Sequence, residues 1–234
     1  MRSEPYEYGM WGMVLFNLAI FGWFAFTLLR PQRRAEWQSM GVLAGFIVAL
    51  FTEMYGFPLT IYLLAATLGR VPFPAPFAHA SGNLWVSLFL GPHWGVLFMG
   101  LGGGVMLLGL WIISSAWQQI YRTKGSLVID GLYARVRHPQ YAALMLVILG
   151  ALIQWPTLLT LMMAPILIAV YVRLARREDQ ELLARFGEFY KSYRRRVPSF
   201  VPSRLSYLKP SMIPGRPPER RITHSPTRSR REKS

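Results

Sequence analysis

Four stretches of this 234-residue chain are almost empty of charge, and they constrain the fold more than any other feature. Met10 to Leu29 carries no Asp, Glu, Lys or Arg across 20 positions. At about 1.5 Å per helical residue, that length matches a bilayer core of roughly 30 Å. Residues 40–69 carry one charge, Glu53; residues 94–121 carry none; residues 140–172 carry none across 33 positions. The last run is too long for one crossing, and Gln154-Trp155-Pro156-Thr157 near its middle reads as a tight turn between two helices. The expected fold is therefore all-α and polytopic, with five membrane helices of which the last two form a hairpin.

The formal charge of +15 fits this frame. A nucleic-acid-binding domain would intersperse its basic residues among polar ones, whereas here they avoid the long apolar runs altogether. A 53% hydrophobic composition with 16% charged residues excludes a disordered chain. The absence of cysteine excludes a disulfide-stapled fold, thiol nucleophiles, thiolate metal sites and palmitoylation. With five helices, 24 of the 26 Lys and Arg residues fall on one side, leaving Arg2 and Arg70 opposite. By the positive-inside rule that side is cytoplasmic, with the N-terminus outside and the C-terminus inside an inner membrane. Glu4 and Glu7 outnumber Arg2 in the leader and no small-residue cleavage site follows, so the first helix reads as a retained anchor.

Three regions follow. Residues 1–126 hold the first three helices and an outer loop, 70–93, whose Pro72, Pro74, Pro76 and Pro92 with Phe73, Phe77 and Trp85 suit a segment folded onto the membrane surface. Residues 127–204 hold the hairpin and an amphipathic helix over 176–196, where Leu182, Phe186, Phe189 and Tyr193 recur at helical spacing. Residues 205–234 are rich in Pro, Ser and Arg, a composition that does not order itself and that suits contact with anionic lipid. Trp11, Trp23, Trp85, Trp94, Trp111, Trp117 and Trp155 mostly suit interfacial belts.

Polar chemistry gathers at one end of the hairpin. Pro139 suits the first turn of the fourth helix, placing His138 at its N-cap beside Arg137, where unpaired amides favour an anion. The fifth helix returns to the same face and runs into Arg176-Arg177-Glu178-Asp179. Neighbouring carboxylates beside a bilayer need a cationic partner, from the protein or from a ligand. A hairpin with a short turn brings both clusters to similar depth, able to face one pocket. The plainer alternative is a basic stop before a helix and solvated acids at a helix end.

The stretch from Gly131 to Pro202 resembles the isoprenylcysteine carboxyl methyltransferase and phospholipid methyltransferase group of integral membrane enzymes. That group shows G-x-Y-x-x-x-R-H-P-x-Y, an apolar hairpin, E-E-x-x-L-x-x-x-F-G-x-x-Y-x-x-Y and a V-P-x-x-x-P ending. This chain has Gly131, Tyr133, Arg137, His138, Pro139 and Tyr141, then Glu178, Asp179, Leu182, Phe186, Gly187, Tyr190 and Tyr193, then Val197, Pro198 and Pro202. The resemblance implies an S-adenosylmethionine-dependent enzyme whose cofactor enters from the cytoplasm and whose lipophilic or lipid-anchored acceptor arrives from the bilayer. It implies cofactor-binding roles for Tyr133, His138, Pro139, Tyr141, Glu178 and Asp179, and catalytic roles for Arg137 and Glu178. Two departures stand out, Asp179 where the group has Glu and Ala143 where Gly is common.

Other positions are open to two readings. Gly102 and Gly104 resemble a glycine motif of phospholipid methyltransferases that contacts the cofactor, but glycines on a membrane helix also serve close helix packing. Glu53, an intramembrane acid, is a catalytic candidate lining an acceptor channel or a partner for a neighbouring helix. His79 and His93 with Glu53 make a poor metal site, and no metal is expected. Acceptors of three kinds fit the implied chemistry: a carboxylate needs no base, while an amine or hydroxyl needs Glu178, Asp179 or His138 to take a proton. A non-catalytic scaffold that binds lipid, and a nicotinamide-dependent reductase of similar layout, are the alternatives.

Overall fold

The computed structural model describes residues 8–24, 26–27, 34–68, 83–85, 94–123 and 127–202, and every regular element among them is helical. The elements are α1 (Trp11–Phe24), α2 (Arg34–Phe51), α3 (Leu59–Leu68), α4 (Gly95–Arg122), α5 (Pro139–Gln154) and α6 (Leu158–Arg196). Three helices are long and apolar enough to cross a membrane, over Trp37–Gly56, Gly95–Arg122 and Leu158–Arg196, and two shorter apolar helices cover Trp11–Trp23 and Pro139–Gln154. The leader charges, His79, His93 and the tail 205–234 lie outside the described residues.

The run 40–69, expected as one helix, is broken. α2 widens into a π-helical turn over Thr52–Gly56, Phe57 turns extended at φ −122° and ψ 112°, and α3 restarts after Pro58. Proline drives the residue before it out of the helical region, which accounts for the break. The carbonyls freed there are taken up by the chain entering α1: Met10 N–H donates to Tyr55 and Gly9 N–H to Gly56, both at 2.9 Å. The indole of Trp11 lies against Gly56. The ten described residues of α3 rise about 15 Å.

Glu53 sits in this π turn, buried. It accepts hydrogen bonds from both the backbone N–H and the hydroxyl of Thr60, and that hydroxyl accepts from the N–H of Leu158 at 2.9 Å. Thr60 lies in the first turn of α3 and Leu158 in the first turn of α6, so one carboxylate serves two helix N-termini, each positive in its dipole. Nearby, the α5–α6 turn is closed by a capping box between Thr157 and Thr160. Asn83 Nδ2 donates to Gln154 O at 2.9 Å, Leu84 N–H to Pro156 O at 3.2 Å and Trp85 Nε1 to Leu152 O at 2.8 Å. The described residues of the segment 70–93 thus dock on the hairpin turn.

α5 packs most extensively along α4, antiparallel to it, and less against α6. Glycine makes the approach possible. A Cβ at Gly102 would stand 2.5 Å from Gly150 O, one at Gly109 2.9 Å from Ala143 O, and one at Gly150 2.7 Å from Gly102 O. Gly104, by contrast, faces open space. Trp117 and Trp155 are buried in the core formed by α2, α4, α5 and α6, which corrects their expected place in interfacial belts.

The amphipathic helix expected over 176–196 also needs correction. α6 runs from the hairpin turn without a break to Phe186, and Gly187, at φ 54° and ψ −131°, interrupts it. That backbone conformation is open to glycine and strained for any residue with a Cβ. Residues 188–196 form a return arm that folds back along α6, so that Tyr190 meets Asp179 and Tyr193 meets Tyr133.

Gly102→Leu is expected to force α4 and α5 apart at a destabilisation of roughly 1–3 kcal/mol. Gly104→Ala is expected to change stability by no more than about 0.5 kcal/mol. Thermal unfolding of the two purified variants in detergent checks the contrast.

Candidate functional site

The site is built from the segment before α5. Gly131 opens a 3-10 turn, Gly131–Ala134, with φ at 58°, and a Cβ there would meet Gln119 Oε1 at 2.6 Å. The same oxygen accepts from Leu132 N–H at 3.3 Å, seating the turn on the end of α4. Tyr133 is thereby buried, and its hydroxyl donates to Gln140 Oε1 at 3.0 Å. Gln140 Nε2 donates in turn to Glu178 Oε2 at 3.1 Å.

Arg137 and His138 follow, clamped by the chain that leaves α6. Arg137 N–H donates to Pro198 O at 2.9 Å and His138 N–H to Ser199 O at 3.0 Å. Pro139 occupies the first turn of α5, with His138 as N-cap. The two polar clusters that the hairpin was expected to bring level are in contact. His138 Nε2 lies 2.8 Å from Asp179 Oδ1, His138 Nδ1 3.6 Å from Glu178 Oε2 and Arg137 Nη2 3.5 Å from Asp179 Oδ2. Tyr190 donates its hydroxyl to Asp179 Oδ1.

Electrostatics follow from this packing. Burial opposes charge on His138, but hydrogen bonds to Asp179 and Glu178 outweigh it and hold the imidazole above its ordinary range. Burial also opposes charge on Asp179, and the bonds from His138 and Tyr190 outweigh it, keeping the carboxyl below its ordinary range. Tyr190 is pushed up by burial and by its bond to Asp179, so it stays a donor.

Beside this cluster lies a cavity of about 360 Å³, lined by the polar Tyr133, Arg137, Glu178, Arg185, Tyr190 and Tyr193 and by the apolar Ile120, Leu127, Val128, Leu182 and Phe186. Its size falls within the range of small-ligand sites. Arg137 is 9% exposed, and its Nε and Nη1 are buried without hydrogen-bond partners. A buried guanidinium with two unused donors is costly unless an anion completes it. Glu178 supplies negative charge on the same cavity wall.

Of the residues expected at the site, Tyr133, Arg137 and Glu178 line the cavity. His138, Pro139 and Asp179 stand behind it, and Tyr141 packs between His138 and Tyr171 in the core. Glu53, Gly102 and Gly104 are not brought to the cluster. Glu53 lies by the start of α6, and Gly102 packs beside Gly150 and Gln154, toward the other end of α5 from His138. Three residues with site roles were not singled out from sequence: Gln140, which couples Tyr133 to Glu178; Tyr190, on Asp179; and Ser199, whose Oγ is 2.5 Å from Arg137 Nη2. The tyrosine stood in a motif without a role, and nothing in the sequence pattern marks the other two.

The chain is similar to the protein-S-isoprenylcysteine O-methyltransferase of Schizosaccharomyces pombe, 35% identical over 77 residues. The match covers 32% of this chain and 33% of that enzyme, so the chain spans about a third of the length of the curated relative. No family model matches the chain. No solved structure matches it.

The pKa directions set a pH window. Asp179, lowered, contributes stability above the ordinary carboxylate range that is lost as pH falls through its lowered value; His138, raised, contributes stability below about 6.5 that is lost only as pH rises through its raised value. The plateau of thermal stability is therefore expected to extend to the alkaline side of 6.5. Asp179→Ala, which leaves the buried Arg137 without its carboxylate partner, is expected to abolish the plateau and to cost roughly 3–5 kcal/mol. Unfolding of both proteins measured across pH checks this.

Proposed function

We propose that this chain is an integral membrane methyltransferase that uses S-adenosylmethionine and acts on a small lipophilic or lipid-anchored acceptor. The observation that carries the reading is that groups of opposite charge, Arg137 and Glu178, line one cavity. S-adenosylmethionine is a zwitterion with an additional sulfonium, so it needs both an anion-binding and a cation-binding group, and these residues fit it. The cofactor supplies a methyl group on positively charged sulfur. Arg137 would hold its carboxylate and Glu178 would face its positive groups, while Leu182 and Phe186 keep the wall dry. The S. pombe relative, a methyltransferase by name, supports the reaction class.

Acceptor chemistry follows from which groups are engaged. His138 and Asp179 are bonded to each other behind the wall, so neither is placed to take a proton. Glu178 is the carboxylate on the cavity wall for an acceptor that must lose one; an acceptor that is itself a carboxylate needs none. A second cavity, about 320 Å³ and almost wholly apolar, lies between α1 and α2, lined by Leu18, Phe21, Trp37, Met40 and Ile47 among others, and supports a lipophilic acceptor. The hairpin end that carries His138 would face the cytoplasm, with the basic tail over anionic lipid.

Titration of the purified chain with S-adenosylmethionine, S-adenosylhomocysteine and NADPH tests the reading. Saturable binding of the first two is expected, weakened about tenfold or more by Arg137→Met and by Glu178→Gln, each of which removes a charge-assisted hydrogen bond. Absence of such binding, or binding indifferent to both substitutions, overturns it. Transfer of labelled methyl from S-adenosylmethionine into a total lipid extract then identifies the acceptor.

A further inference from the structure

Glu178 and Asp179 are neighbours on a helix, about 100° apart around its axis, and they flank His138 from its two ring nitrogens. Glu178 lines the cavity with its side chain 26% exposed; the Asp179 side chain is 8% exposed, and both its oxygens are engaged. Oδ1 accepts from His138 Nε2 and from the Tyr190 hydroxyl; Oδ2 lies 3.5 Å from Arg137 Nη2 and 3.8 Å from Arg194 Nε. Oδ1 takes both hydrogen bonds, Oδ2 faces the two guanidinium groups, and Asp179 is not among the residues that line the cavity. The contact with Tyr190 depends on the chain reversal, because residues 11 apart on an unbroken helix are separated by about 16 Å along its axis. Only the turn at Gly187 brings that phenol back to Asp179.

We infer that Asp179 is a positioning residue that touches no ligand and ties the return arm of α6, through Tyr190, to His138 and Arg137, so that Arg137 is held toward the cavity. The inference rests on the proposed cofactor site and reassigns one member of the acidic pair that the family resemblance gives to the cofactor. Asp179 is the latch of the site: its contacts with Tyr190 and Arg194 form only when the return arm is folded back, and folding that arm also completes the cavity lining with Tyr190 and Tyr193.

A double-mutant cycle separates a latch from a direct ligand. Asp179→Asn and Tyr190→Phe are each expected to weaken S-adenosylhomocysteine binding by about tenfold, and the double variant to lose little more than either single one, because both break the same link. A direct cofactor ligand would give a loss for Asp179→Asn, none for Tyr190→Phe and additivity. Two readouts need no ligand. The groups facing His138 are Asp179 and Glu178 from α6, with Arg137, Tyr141, Tyr190 and Arg194 around them, so its NMR titration is expected to move to lower pH in Asp179→Asn and by less in Tyr190→Phe. Proteolysis of the full chain at Arg194, Arg195 and Arg196 is expected to speed up in both. Unchanged affinity in Tyr190→Phe, or unchanged titration and proteolysis in both variants, overturns the inference. If the wild type binds no S-adenosylhomocysteine, the cofactor reading falls, and titration and proteolysis still decide whether Asp179 is a latch.

Discussion

Three ionisable side chains, Arg137, His138 and Asp179, are withdrawn from water at one end of a helical hairpin, and each is tolerable there because of the others. A lone buried carboxylate would take up a proton, and a lone buried guanidinium would drag solvent in with it. Together they form a compact ionic knot that joins the start of α5, the long arm of α6 and, through Ser199, the segment that follows. The rest of the site hangs on this knot. Tyr133, Gln140 and Glu178 form a relay along one side of it, and the return arm of α6 lies across the other.

Much of this arrangement was legible in the sequence, for a simple physical reason. Long uncharged runs have few places to go, and a short turn between two of them forces their flanking charges together. Arg137-His138 and Glu178-Asp179 could be matched that way, and the structure brings them into contact. Periodicity failed where the backbone, and not the side chains, decided the outcome. Leu182, Phe186, Phe189 and Tyr193 keep helical spacing across Gly187, since both arms turn an apolar face to the same core. The period therefore hides the reversal, and the sole local sign of it is the glycine itself. In the same way the apolar run 40–69 conceals the break at Pro58, because hydropathy does not register a change of direction.

The glycines of α4 and α5 illustrate how one residue type can mislead. A cluster of glycines in a membrane helix fits a cofactor cradle as well as it fits close packing. Position decides between them here. Gly102 and Gly109 press against Gly150, Gln154, Ala143 and Val147, letting the two helices share a tight seam. That seam carries α5, and with it His138, as a fixed strut beside α4.

The two ends of the hairpin are fastened differently. Near the α5–α6 turn the joints are largely made of backbone: Asn83, Leu84 and Trp85 reach main-chain carbonyls, Thr157 caps α6, and Glu53 spans the first turns of α3 and α6 through Thr60. At the other end α5 and α6 themselves meet through side chains, in buried ion pairs and phenol contacts, while the backbone bonds of Arg137 and His138 go to Pro198 and Ser199 beyond α6. The pair of helices is thus built like a forceps, with its fulcrum at Glu53 and the capped turn and its tips at His138 and Asp179. Loss of a side-chain contact at the tips leaves the joints of the fulcrum intact, and a carboxylate far from the cavity fastens the end that α3 and α6 share.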